Sequence, residues 1–85
     1  MDHATELVFE YGSSAVARSV ERSVAVEAGD IEGDRSDATV DRDGATVTVT
    51  VGAADLTALR AGNNTWLTLV EVAERVTDAA GDESA

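Results

Sequence analysis

Few side chains in this sequence could do chemistry, and their types and spacing argue against a reaction. His3 is the single histidine and stands near the N-terminus, in a stretch expected to be mobile, so it makes a poor general base. Ser13 and Ser14 offer hydroxyls, yet no base accompanies them in the sequence to raise their nucleophilicity. Asp41 and Asp43 form a pair of carboxylates, but they flank a turn, where solvation is their ordinary role. There is no cysteine, which removes thiolate nucleophiles, thiolate metal ligands and disulfides together. The sequence therefore predicts no catalytic residue, no cofactor, no metal and no small-molecule substrate. It reads as a non-enzyme.

What must then be explained is how so short a chain is stabilised. At 85 residues there is room for one domain with a modest core. Chains of this size commonly lean on disulfides, a metal or a partner surface, and only the partner remains. The charge is extreme: the net value is −11, and all six basic residues are arginine, with no lysine. Such a balance fits a protein that works in molar salt. At ~1 M ionic strength the Debye length is about 3 Å, so acidic self-repulsion is largely screened. No apolar stretch is long enough to span a membrane, and "MDHATEL" has neither the basic nor the apolar region of a signal peptide. A cytoplasmic location is expected.

The elements follow from hydrophobic period. Residues 4–11, "ATELVFEY", alternate with Leu7, Phe9 and Tyr11 on one face and Glu6, Val8 and Glu10 on the other, as a half-buried strand does. Ser13 or Ser14 can cap a helix over 15–28, in which Val16, Val20 and Val24 recur every four residues. Residues 29–37 combine two glycines with four acidic residues and read as a polar loop. "ATVDRDGATVTVTV" then predicts a β-hairpin turning at Asp43-Gly44, with Val47, Val49 and Val51 opposite Thr46, Thr48 and Thr50. A second helix is expected over 55–77, with Asp55 at its N-terminus, followed by a frayed tail at 78–85. The order β-α-β-β-α implies an α+β fold for a domain over 4–77. Its three-stranded antiparallel sheet carries both helices on one face and has the first strand beside the third, a KH-like or split β-α-β arrangement.

The second helix is the most informative element. At about 100° per residue, Leu56, Leu59, Asn63, Trp66, Leu67, Val70 and Ala73 form one band and Leu69, Val72 and Val76 an adjoining one. The apolar arc spans roughly 220°, more than twice the ~100° stripe that a surface helix needs. A partner is expected to cover the excess. The remaining arc carries Arg60, Asn64, Thr68, Glu71 and Arg75, and Arg60 and Asn64 are neighbours one turn apart.

"DLTALRAGNNTWLTLVEVAERV", preceded by a Thr/Val strand and an Asp-Gly hairpin, resembles the Pcc (CTAG) family, the small dimerisation subunit of the KEOPS complex. The matching positions are Asp55, Leu59, Arg60, Ala61, Asn64, Thr65, Trp66 and Leu67. The likeness extends upstream to "FEY" at Phe9, to Ala15 and Ala17, and to "SVAVE" ending at Glu27. Thr65 stands where serine is commoner, and Thr68 where an arginine is frequent. With its composition, the chain is similar to such a subunit from a halophilic archaeon.

The resemblance implies a non-catalytic scaffold that forms a homodimer and docks on the threonylcarbamoyl-transferase subunit. It thereby supports threonylcarbamoyladenosine modification of tRNA next to the anticodon, with tRNA touched indirectly or weakly. The residues expected at partner contacts are Arg60, Asn64, Trp66, Leu69, Val70, Val72 and Val76. Two other readings compete. A stand-alone KH-like RNA-binding module would need a GXXG clamp, a basic patch or exposed aromatics, none of which the sequence supplies. A ferredoxin-like ligand-sensing module would need an effector site, for which no glycine-rich segment is evident.

Overall fold

The computed structural model describes residues 2–31 and 36–84, apart from the side chains of 28–31 and 78–84. The chain order is β1 (His3–Glu10), α1 (Ser14–Ile31), β2 (Ser36–Asp43), β3 (Thr46–Ala53) and α2 (Leu56–Ser84). The sheet order is β1-β3-β2, with β3 antiparallel to both neighbours. β1 and β2 are therefore parallel to each other on either side of β3, joined through α1 in the split β-α-β connection that the sequence implied.

Alternation assigns the two faces of the sheet. Val47, Val49, Val51 and Ala53 of β3 are buried beneath the helices. In register beside them stand Phe9, Leu7 and Thr5 of β1 and Val40 and Ala38 of β2. Ala17, Val20 and Val24 supply the buried stripe of α1, and Trp66, Val70 and Ala73 that of α2. Each fully buried valine contributes roughly 1.5–3 kcal/mol relative to exposure, so the central strand is the principal stabilising element. The other face bears Thr46, Thr48 and Thr50 flanked by Glu6, Glu10, Asp37, Asp41 and Asp43, with no basic residue among them.

Local chemistry sets the element boundaries, and three expectations need adjustment. Ser13 caps α1: its Oγ accepts from the Val16 N–H at 3.2 Å. The hairpin loop is Gly44-Ala45, one residue later than the Asp43-Gly44 pair expected, since Asp43 still pairs with Thr46. Gly44 alone has a positive φ, 61°, so the turn has the type II′ pattern, with glycine at its first central position. Both helices outlast their apolar period. α1 runs through Gly29 to Ile31, and α2 passes Thr77 to Ser84, no proline intervening. Of the expected 29–37 loop, residues 32–35 lie outside the described residues, as does Ala85 of the expected tail. His3 opens β1 opposite Ala53 instead of lying in a mobile end.

Candidate interaction surface

α2 begins at a well-made cap. The Asp55 carboxylate accepts the Ala58 N–H at 2.8 Å, placing negative charge at the positive end of the helix. Seven residues on, Gly62 crosses directly over β3. A Cβ at that position would lie 2.9 Å from Val51 Cγ1, so the glycine in "LRAGNNTW" permits the close approach of helix and sheet. Past this crossing Trp66 and Val70 descend into the core beside Val20, Val24, Val49 and Val51, at 2% and 1% exposure. Neither is available at the surface.

The two margins of this buried stripe differ. Toward β1, the Asn63 side-chain amide donates to Thr5 Oγ1 at 3.4 Å, and its Oδ1 is buried with no hydrogen-bond partner. On the same side the Tyr11 hydroxyl donates to Glu74 Oε2 at 2.6 Å. Burial, then that hydrogen bond, then the negative charge of Glu74 push the Tyr11 phenol well above its usual range. Exposed Leu56 and Leu67 belong to this side of the helix by their angular position.

Toward α1, no polar contact among the described residues closes the margin. Val72 and Val76 are 46% and 61% exposed. Between the helices lies a recess of about 140 Å³ lined by Ser23, Val24, Glu27, Leu69, Val72, Ala73 and Val76. The Ser23 hydroxyl is spent on the Ser19 carbonyl at 3.0 Å, which leaves Glu27 as the one charged group among the described residues of the lining.

Of the residues expected at partner contacts, the structure thus gathers Leu69, Val72 and Val76 on the α1 margin. It puts Trp66 and Val70 beneath them and leaves Arg60 and Asn64 exposed on the outer arc. Sequence reasoning missed the α1 wall. Ser23, Val24 and Glu27 form it, and Ser23 and Glu27 flank the Val16-Val20-Val24 stripe, where their polarity gave no signal of a wall.

The outer arc of α2 is polar, and part of it is satisfied within its own helix. Thr65 and Thr68 donate to the carbonyls of Ala61 and Asn64, each at 3.0 Å, and Arg75 pairs with Glu71 at 2.9 Å. The Thr68 hydroxyl thus bonds back onto its own helix. Phe9, Tyr11 and Trp66, the three aromatic residues of the sequence, all pack on the covered side of the sheet, so none can stack an RNA base from the open face. Among the described residues no group of three or more His, Cys, Asp or Glu side chains could hold a metal ion, and no helix is long and apolar enough to cross a membrane.

No curated protein matches the chain. A family model described as transcription factor Pcc1 matches residues 4–78, which takes in every strand, α1 and most of α2. The chain belongs to the Pcc1 family, a KEOPS-subunit family whose non-catalytic members serve in tRNA modification.

Proposed function

We propose that this chain is a scaffold and dimerisation subunit of KEOPS, which docks the threonylcarbamoyl-transferase subunit in the recess between α1 and α2 and pairs with a second copy of itself. The complex would then make threonylcarbamoyladenosine next to the anticodon in the cytoplasm, with tRNA contacted weakly or indirectly by this subunit. The observation that carries this reading is the apolar recess, whose lining includes the substantially exposed Val72 and Val76. Surface valines scattered singly are ordinary, whereas two that line one apolar recess beside Leu69 mark a contact surface. The second copy is assigned to the β1 edge. That strand has one unpaired side, and exposed Leu56 and Leu67 stand on the adjoining margin of α2. Arg60 and Asn64, the exposed part of the family signature, belong to the periphery of these contacts.

The test is co-purification in molar KCl with the transferase subunit. Val72→Asp should abolish capture while leaving the circular-dichroism spectrum unchanged, because Val72 lies outside the core. Sedimentation at micromolar concentration should report a dimer that Leu67→Asp converts to monomer. Capture of both variants at wild-type levels and a monomeric wild type would overturn the assignment.

The composition supports a molar-salt habitat as well. Five carboxylates stand together on the open sheet face with no cation beside them among the described residues, and salt screening relieves their repulsion. Dialysis from molar KCl into ~10 mM salt, where the Debye length is about 30 Å, is expected to lose helicity. Full retention would count against salt adaptation.

A further inference from the structure

We propose that Glu27 selects the partner seated between α1 and α2: the docked segment is an amphipathic helix that inserts one bulky apolar side chain into the recess and presents an arginine or lysine to the Glu27 carboxylate. The inference rests on the docking reading above and adds the chemistry of the partner to it.

Glu27 differs from the other half-buried carboxylates on the helical side. Glu21 is paired with Arg42 at 3.1 Å, Glu74 accepts from Tyr11, and Asp55 caps α2. Glu27 has no hydrogen-bond or ion-pair partner among the described residues, and it lines an otherwise apolar recess. While the recess is open, water solvates the carboxylate. Once an apolar helix covers it, that water is removed, and an unpaired carboxylate would oppose docking strongly. A facing cation converts the same residue from an obstacle into a requirement, and it rejects any helix that carries an acidic or apolar residue at that place.

The size of the recess defines the rest of the recognition. A volume of about 140 Å³ is close to the ~150 Å³ of an apolar cavity that accepts a benzene ring, so it suits one leucine- or phenylalanine-sized side chain. Valine and leucine walls make no hydrogen bond to orient that side chain. The Glu27 pair is then what fixes the register and direction of the partner helix.

The experiment measures binding of the full chain to the threonylcarbamoyl-transferase subunit by calorimetry in molar KCl, with wild type, Glu27→Gln, Glu27→Arg and Val72→Asp. Glu27→Gln should weaken binding about thirtyfold or more and Glu27→Arg further still, in the range seen when one member of a covered charge pair is removed. Binding of Glu27→Arg should return when one arginine or lysine on the docked helix of the transferase subunit is changed to glutamate, whereas that change should not rescue Val72→Asp. Wild-type affinity of both Glu27 variants, with Val72→Asp inactive, removes Glu27 from recognition and leaves the docking surface standing. Weak binding by Glu27→Arg alone, without rescue by any charge reversal, marks a bulk effect and equally overturns the pairing. Wild-type affinity of all three variants removes the docking surface, and this inference with it.

Discussion

The inner stripe and the α1 margin of α2 are built from the same kinds of residue but have opposite fates. Trp66, Val70 and Ala73 are sealed against the sheet and α1, while Val72 and Val76, two and three residues further along the chain than Val70 and Ala73, stay substantially exposed. Rotation explains the difference. Two residues around a helix turn a side chain by about 200°, so neighbours in sequence serve different surfaces. A three-stranded sheet and one other helix can cover only part of an apolar arc as wide as this one. Folding therefore uses one side of α2, and the remainder is the surface proposed above for assembly.

The strongest way to break that division is to compare Trp66→Ala with Val72→Asp. Trp66 is the largest fully buried side chain, and truncation should cost about 3–5 kcal/mol, a large part of the stability of an 85-residue domain. Partner capture should fail in both variants for different reasons. Trp66→Ala should show a sharply lowered Tm or an unfolded spectrum, while Val72→Asp stays folded. A Trp66→Ala protein of native stability that still failed to bind would put Trp66 in the interface after all.

Much of this arrangement was legible from residue types. The Thr/Val alternation located β3 and its buried face, Ser13 and Asp55 announced both helix starts, and the hairpin dictated antiparallel pairing. Angular position on α2 was equally readable: Arg60, Asn64, Thr68, Glu71 and Arg75 all lie on the exposed arc. What periodicity could not supply was the identity of the covering surface. Trp66 and Val72 both belonged to an apolar arc too wide for one sheet, and only the position of α1 separates core from margin. The Gly44-Ala45 loop was missed by one residue because Asp-Gly suits either turn register, and pairing of Asp43 with Thr46 decides between them. Gly62 gave no signal of its own, since its role depends on Val51 lying across the fold.

The smaller test concerns the β1 margin, which is tied by the Tyr11–Glu74 hydrogen bond where the α1 margin has no polar closure among the described residues. Tyr11→Phe should cost about 1 kcal/mol near neutral pH, the usual net value of one hydrogen bond. The pH dependence has a defined sign. The folded state holds the Tyr11 phenol above its unfolded value, so its contribution is complete below about pH 10 and is lost as pH rises beyond that. Thermal unfolding of the two proteins should therefore differ most below pH 9 and converge in stronger alkali, because wild type loses a contribution that the variant never had. Binding of the transferase subunit should be unchanged by Tyr11→Phe, since the phenol lies on the margin away from the recess. If that small change in stability came with loss of binding, the two margins would be coupled through α2, and the division between folding and assembly surfaces would not hold.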